Sequence, residues 1–397
     1  MSPPLSFEFA TAGNTRFGPG TVELVGEQAA RFGRRAWLLT GGHSLEQSGA
    51  LERIDRSLAA AGVSRVRQAI TAEPDTAIVD LGAQRALAAG CDVVIGAGGG
   101  SVLDAAKAVA CLMANGGEAF DYLEVVGRGR TPAQPAVPFI AIPTTAGTGS
   151  EATRNAVIAD AGSGTKASIR HESLLPRVAL LDPTLTRSMP RPVTAGTGLD
   201  ALVQLIEPYV SRRDHPMVDA LALEGIRRAG RALPRAWADG DDADARADMM
   251  LAAYWSGIAL AHCGLGASHA IAGPLGGSFP IPHGMACAAT IAEVMATNLR
   301  VAARDESGER TIARYAAVAR ALGVGSAAND LATALVGVGH VRELCERLGV
   351  PGLRSVGVTA AAVPDLVARA RRTSSMKANP VDLTDEDLAG ILQRSMG

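Results

Sequence analysis

Val93-Val94-Ile95-Gly96-Ala97-Gly98-Gly99-Gly100-Ser101-Val102-Leu103-Asp104-Ala105-Ala106-Lys107 is the stretch that decides how this chain is read. Residues 93–95 have the β-branched, apolar character of a buried strand, and the residues after the glycines carry helical spacing with Asp104 and Lys107. Strand, glycine turn and helix in direct succession make the first half of a βαβ unit. The glycines let the backbone approach an anion, and the following helix offers free N–H groups and a positive dipole end. Gly98, Gly99, Gly100 and Ser101 therefore suit a diphosphate. A tight strand-to-helix turn needs glycine in any case, so the cluster alone leaves a purely structural reading open. It is not a Walker loop, because no Gly-Lys-Ser/Thr follows. The usual dinucleotide fingerprint would occupy the first strand–helix turn, not a later one.

Working outward, short aliphatic runs alternate with helical patterns. Residues 36–39, 63–70 and 93–95 read as strands, and residues 44–61 and 77–89 as helices. Further strands at 139–142 and 179–181 are stopped by Pro143 and by Asp182-Pro183. This βαβα order predicts a parallel sheet covered by helices. After Pro190 strand signals nearly vanish, and residues 218–232, 243–261 and 309–321 show helical periodicity with charged faces. The expected architecture is an α/β domain over residues 1–186 with a parallel sheet, then an all-helical domain over 187–397, joined near 184–192.

Length supports the division, since 397 residues exceed one ordinary hydrophobic core. A hydrophobic fraction of 47% with 20% charged residues excludes a disordered chain, and a net charge of −2 argues against nucleic acid as a partner. The five cysteines include no Cys-x-x-Cys pair, so neither a disulfide framework nor a thiolate zinc site is expected. The first 13 residues lack the basic and apolar regions of a secretory signal, and a cytoplasmic protein is expected. Residues 249–292 contain no Asp, Glu, Lys or Arg and would attract a hydropathy scan. The stretch is interrupted by glycines, prolines and three histidines, so it reads as buried helices around a dry site, with no membrane involved.

Two further constellations carry chemistry. The loop from Pro143 to Glu151 holds the hydroxyls of Thr144, Thr145, Thr148 and Ser150 with two glycines, donors that can meet phosphate or carboxamide without adding charge. Like the first loop it follows a strand, so both point to one crevice. In the helical half, Asp200 and Gln204 lie one turn apart on one helix face. His269 and His283 bracket a Gly-Pro-rich turn that can bring both imidazoles to a point. A carboxylate with two imidazoles is three of the three or four donors a divalent ion needs, and Gln204 is the weakest of the proposed metal ligands Asp200, Gln204, His269 and His283. A single histidine in apolar surroundings is more often a core residue, and that reading suits His262.

These motifs resemble the iron-containing, or group III, alcohol dehydrogenases of the dehydroquinate synthase-like superfamily. The resemblance is carried by Gly98-Gly99-Gly100-Ser101-x-x-Asp104-x-x-Lys107, the 143–151 loop, Asp182-Pro183, Gly198-Leu199-Asp200-Ala201-Leu202 and Pro282-His283-Gly284, in the family's order. It implies a homodimer with a dinucleotide between the two domains and a divalent metal, iron or zinc, in the helical domain. The family's metal aspartate falls on Asp200 and two of its metal histidines on His269 and His283. The third falls on Gln204, and a further family histidine, implicated in proton relay, falls on Gly273. The resemblance also places Asp104, Thr144, Thr145, Lys166 and Leu185 along the dinucleotide.

At the first strand–helix turn, NAD-selective relatives carry an aspartate at about Gly41. Here Gly41, Gly42 and Ser44 resemble the Gly-Gly-x-Ser turn of NADP-using members, which favours NADP over NAD. The expected activity is hydride transfer between NAD(P)(H) and a small alcohol or aldehyde, with Asp200, His269 and His283 as the catalytic set and a divalent metal polarising the oxygen. Three alternatives stay open: a metal-independent reductase of the maleylacetate-reductase type acting on an oxoacid, a lyase of the dehydroquinate-synthase type, and a dinucleotide-binding protein without turnover. The absence of Lys and Arg from 249 to 292 argues against the lyase, which needs several cations for a phosphorylated sugar acid.

Overall fold

The structure is a computed structural model describing residues 6–213, 215–304 and 308–397, and the chain forms two compact units. In the unit spanning Glu8–Met189, elements follow in the order β1 (Thr15–Phe17), α1 (Val25–Ala30), β2 (Arg35–Thr40), α2 (Ser44–Gln47), α3 (Ala50–Ala60), β3 (Ser64–Ala69), α4 (Thr76–Ala88), β4 (Val93–Gly98), α5 (Gly100–Asn115), α6 (Ala119–Tyr122), β5 (Phe139–Pro143), β6 (Asn155–Ala159), β7 (Lys166–Arg170) and β8 (Val178–Leu181). Six strands form one sheet in the order β1-β8-β5-β4-β2-β3, every pairing parallel, while β6 and β7 pair antiparallel as a separate hairpin. Successive strand residues point to opposite faces, and both faces are covered. Ala36, Leu38, Ile95, Ile140 and Ile142 join one core, and Trp37, Leu39, Val94, Phe139 and Ala141 the other. Burial on both faces is what a parallel sheet requires.

Three details differ from the sequence reading. The helix expected over 44–61 is broken at Gly49, which takes a left-handed φ of 71° between α2 and α3. The strand expected to stop at Ile95 runs on to Gly98, because two of its glycines are packing positions. A Cβ on Gly96 would lie 2.9 Å from Ala106 and 3.1 Å from Phe139, and one on Gly98 would lie 2.5 Å from Val102. The sequence reading also lacked β1 and the β6–β7 hairpin. β1 is only three residues long and β7 has Lys166 and Arg170 at its ends, while β6 is an uncharged five-residue run that the reading passed over.

Lys107 ties α5 to the loop after β5. Its ammonium is fully buried and donates to Ser150 Oγ (2.9 Å), Thr153 Oγ1 (2.9 Å) and the Asn155 carbonyl (2.8 Å), with Asp104 at 3.6 Å. Asp104 accepts from Ser150 Oγ and from the Val157 amide. Glu151 is buried beside them. One fully buried cation thus faces a buried acid, Glu151, and a partly buried one, Asp104. Burial pushes Glu151 up to about 7, its own backbone N–H and the Lys107 charge opposing the rise and Asp104 adding to it.

In the other unit, Pro190–Gly397 together with the described residues before Glu8, the chain is helical: α7 (Arg191–Val210), α8 (Pro216–Ala238), α9 (Ala243–Cys263), α10 (Ala267–Ser278), α11 (His283–Ala302), α12 (Glu309–Ala321), α13 (Asp330–Arg347), α14 (Val363–Arg371) and α15 (Asp385–Arg394). The 218–232, 243–261 and 309–321 readings fall inside α8, α9 and α12. Among the described residues no single helix is long and apolar enough to cross a membrane. The uncharged stretch supplies most of α9, all of α10 and the first half of α11, and α9 and α10 are bent from each other by 103°. The bend lies at Gly264–Gly266, where Gly264 has a φ of 69°. Helix α7 is buried along nearly its whole length and meets α11 backbone to backbone, since a Cβ on Gly284 would stand 2.1 Å from the Gly196 carbonyl oxygen.

The Glu151 carboxyl makes stability depend on pH in a direction opposite to most acids. Its folded pKa of about 7 lies above the ordinary 4.5, so between those values the folded state keeps a proton that the unfolded chain has released. Stability is full below about pH 4.5 and falls by up to about 3 kcal/mol as pH rises through about 7. Glu151→Gln is expected to remove that decline and to melt higher than wild type at about pH 8 but not at about pH 5. Urea unfolding at both pH values measures it, and parallel losses in the two proteins would count against the assignment.

Candidate functional site

The first site component lies in the α/β unit, at the carboxyl ends of three adjacent strands. In the sheet β3 lies to one side of β2 and β4 to the other, so the strand order reverses at the β2–β4 pair. A crevice opens at such a switch point, outside the carboxyl ends. Thr40, the last residue of β2, pairs with Ala97, and Gly98 at the end of β4 pairs with Pro143 at the end of β5. The 41–44 turn, the Gly99-Gly100-Ser101 helix start and the 144–151 loop are therefore neighbours. The last two touch. A Cβ on Gly100 would lie 2.7 Å from Thr148, one on Gly99 would lie 3.4 Å from Thr145, and the Thr144 amide donates to the Gly98 carbonyl at 3.0 Å.

Gly41 and Gly42 differ from these. Neither has a left-handed φ, and a Cβ on either meets nothing within 4 Å. No protein contact explains the missing side chains, so the turn keeps open space beside its backbone. Arg67, on β3, reaches the same place: its guanidinium donates to Thr40 Oγ1 at 2.9 Å and pairs with Glu46 at 2.5 Å. The sequence reading passed over Arg67. Its signal was a cation at the end of the strand paired with β2, recognisable only once the strand order is known.

The other expected dinucleotide residues are placed unevenly. Thr144, Thr145 and Thr148 are partly exposed on the loop, and Ser44 opens α2. Asp104 and Ser150 bond each other within the Lys107 network. Lys166 starts β7 and is paired with Glu73 at 3.1 Å, while Leu185 is buried in the core beside β8.

The second component lies in the helical unit, where Asp200, His269 and His283 come together as expected. Asp200 and His269 are buried, on α7 and α10, and His283 opens α11 with 56% of its side chain exposed. Asp200 Oδ1 lies 3.4 Å from His269 Nε2 and 3.9 Å from His283 Nε2, and the imidazole centroids are 5.6 Å apart. Cys287 Sγ lies 3.7 Å from His283 Nε2, and one donor atom from each of the four residues falls within 4.8 Å of the rest. Setting all five cysteines aside is thereby corrected. Cys287 follows His283 by four residues, one helical turn, so α11 turns both toward Asp200. Gln204 is buried on α7, four residues after Asp200. Gly273 lies exposed on α10, and a Cβ there would meet nothing.

The donors fit a divalent cation. Asp200 Oδ1 and His269 Nε2 are both buried and neither has a hydrogen-bond partner, a costly pair of orphans unless a ligand satisfies them. A tetrahedron with bonds of about 2.0 to 2.3 Å has edges of about 3.3 to 3.6 Å. Three of the six donor separations are 3.4, 3.7 and 3.9 Å, and all lie within 4.8 Å, so binding would draw the donors in by a few tenths of an ångström or more. Electrostatics favours the ligating forms of Asp200 and Cys287 but not of the imidazoles. The Cys287 thiolate beside it raises His283 to about 9, and the burial of His269 is outweighed by the surrounding acids, which hold it well above its usual value. A cation binding here would therefore displace imidazole protons. Burial raises Asp200, but the His269 and His283 imidazoles outweigh it and hold the carboxyl below its usual range. Burial likewise raises Cys287, and the same imidazoles bring the thiol down.

Glu207 completes this arrangement. It is buried on α7 seven residues after Asp200, two turns along the same face. Its Oε2 meets His269 Nδ1 at 2.6 Å and its Oε1 accepts from the Ser268 amide at 2.7 Å, near the start of α10. The carboxylate makes Nδ1 the protonated nitrogen and leaves Nε2 as the donor facing Asp200. Sequence reasoning missed Glu207, whose signal was its seven-residue spacing from Asp200 within a wholly apolar turn. His262, by contrast, is partly buried and meets the Ile258 carbonyl one turn back at 2.8 Å, outside the cluster.

Two family models match the chain, one over each of its two units. Residues 12–183 match the family model described as iron-containing alcohol dehydrogenase, and residues 194–396 match the C-terminal model of the Fe-containing alcohol dehydrogenase family. The "Probable alcohol dehydrogenase EutG" of Escherichia coli K12 is 36% identical over 95% of this chain and 91% of its own length. The "NAD-dependent methanol dehydrogenase" of Bacillus methanolicus is 33% identical over 96% and 97%. Among solved structures, that of a 1,3-propanediol oxidoreductase superposes with a TM-score of 0.91 at 29% identity, covering 98% of this chain and 100% of that one. With an α/β sheet unit, a helical unit and matches along nearly its full length, the chain belongs to the iron-containing alcohol dehydrogenase family and is an oxidoreductase of the NAD(P)-dependent alcohol dehydrogenase type.

Proposed function

We propose that this chain transfers hydride between NADP(H) and a small alcohol or aldehyde, using a divalent cation held by Asp200, His269 and His283. The observation that carries the reading is the orphaned pair, Asp200 Oδ1 and His269 Nε2, buried 3.4 Å apart with His283 beside them. A bound cation would supply a Lewis acid to polarise the substrate oxygen. The chain's own residues do the remaining work. Glu207 holds His269 in one tautomer, α7 fixes the Asp200 carboxylate, and the exposed flank of His283 leaves an approach from outside. Residues Gly41, Gly42, Ser44, Gly98 to Ser101, Thr144, Thr145 and Thr148 are proposed to receive the dinucleotide at the switch point of the sheet. The names of the relatives, a probable alcohol dehydrogenase and a methanol dehydrogenase, support a small alcohol as substrate. The homodimer belongs to the same reading and rests on the family resemblance.

The preference for NADP(H) is supported by what stands at the end of β2. No carboxylate occupies Gly41 or Gly42 to repel a 2′-phosphate, and the Arg67 guanidinium, paired with Glu46, lies against Thr40. The B. methanolicus relative is named NAD-dependent, so the preference is a property argued for this chain alone.

The deciding experiment is reduction of a panel of small aldehydes with NADPH and with NADH, before and after chelation, alongside metal analysis of the purified protein. Stoichiometric metal, with activity lost to chelator and restored by Fe²⁺ or Zn²⁺, is the expected result. Unimpaired turnover by metal-free protein would transfer the reading to a metal-independent reductase. Gly41→Asp is expected to raise the KM for NADPH by about tenfold or more while leaving NADH nearly unaffected, and Arg67→Ala to act in the same direction. Equal effects on both cofactors would remove the NADP(H) assignment. Glu207→Gln offers one acceptor where two donors need one, so cation affinity should fall by about 10- to 100-fold, read by competition with a chromogenic chelator.

A further inference from the structure

We propose that Cys287 is a direct ligand of the cation, its sulfur replacing the imidazole that position 204 does not supply, and that the resulting carboxylate, two-imidazole and thiolate set selects zinc over iron. This rests on the reading that the cluster holds a divalent cation. Three observations lead to it. Sγ stands 3.7 Å from His283 Nε2, within the spread of separations between the other donors and close to the edge of about 3.6 Å expected between sulfur and nitrogen on one tetrahedral ion. Asp200 Oδ1 and His269 Nε2 are buried without hydrogen-bond partners and converge on the same point, so the cysteine is not a solitary thiol but the fourth corner of a site with two unsatisfied corners. Finally, Cys287 is buried on the helix that carries His283, one turn away, so a single rigid element fixes both donors relative to each other.

The chemistry follows from the donors. Ligation breaks the S–H bond, releases the proton to solvent and forms the sulfur–cation bond, with no change of oxidation state. A thiolate is a soft donor, and a tetrahedral site combining sulfur with nitrogen suits zinc, which stands above ferrous iron in intrinsic affinity for such ligands. Carboxylate and thiolate together neutralise the charge of a dication, a condition for holding it among buried groups. Zinc can also accept a fifth ligand, so four protein donors do not close the site to a substrate oxygen, and the exposed flank of His283 is where that ligand would enter.

The test is optical and independent of turnover. The full-length protein, stripped of metal, is titrated with Co²⁺, whose charge-transfer absorption in the near ultraviolet reports sulfur ligation and whose visible bands report binding of any kind. The expected result is one cobalt per chain with both features, and loss of the charge-transfer band in Cys287→Ser while the visible bands persist. Circular dichroism shows whether that variant is folded, and Cys287→Ala provides a second replacement. Loading from an equimolar Zn²⁺ and Fe²⁺ mixture without oxygen should give a zinc-to-iron ratio that falls by about tenfold or more in Cys287→Ser. Visible bands without charge transfer in the wild type, with unchanged affinity in the variant, would overturn the role of Cys287 and leave a site of Asp200, His269 and His283. No cobalt uptake by folded wild-type protein would overturn both.

Discussion

One carboxylate organises the helical unit around its site. Glu207 accepts from the Ser268 amide and from His269 Nδ1, so the same side chain anchors the first turn of α10 and sets the tautomer of the imidazole that α10 carries. The close approach depends on Gly266, since a Cβ there would lie 2.9 Å from Glu207 Oε1. Neighbouring polar groups extend the anchorage. Asn379 Oδ1 accepts from the Ala267 amide, Asn379 bonds Asn298, and Asn298 donates to Tyr315. A buried acid is costly unless its oxygens are satisfied, and here each oxygen has a strong donor. The site thus inherits its rigidity from the way α10 is held.

The α/β unit solves a related problem with the opposite charge. Lys107 is taken wholly out of water and surrounded by two hydroxyls, a carbonyl and the Asp104 carboxylate. Apart from Asp104, which shares α5 with Lys107, those acceptors belong to the loop after β5 and to the start of β6, so one ammonium fixes the path of the loop beside Gly99 and Gly100. Ser150 serves this network, and the more exposed Thr144, Thr145 and Thr148 are left to face outward. A loop proposed to present hydroxyls to a dinucleotide is held from behind by a buried ammonium.

How much of this was legible in the sequence divides along physical lines. Periodicity located β2 to β5 and β8 and the helices α4, α5, α8, α9 and α12, because each is a continuous run with one pattern. It failed for β1 and for β6–β7, where three to five residues carry little signal. Asp200, His269 and His283 were legible through motif resemblance, and the structure brings them together. Cys287 was discarded because thiolate sites were sought as paired cysteines along the chain, whereas this one completes a set drawn from three helices. Glu207 and Arg67 were invisible for the same reason, since their meaning depends on what folding places beside them. The strand ending at Gly98 shows the converse case, where glycines that looked functional are partly explained by crowding from Val102, Ala106 and Phe139.

His283 alone among the four clustered donors has a largely exposed side chain, while Asp200, His269 and Cys287 are enclosed. Were a cation held there, His283 would stand as its gate: departure of the ion, attack by a chelator and arrival of a substrate oxygen would meet this imidazole first. Occupancy of the gate by one traveller would delay the others. A tightly held inhibitor would therefore act as a stopper as well as a competitor, slowing loss of the ion for as long as it remained in place.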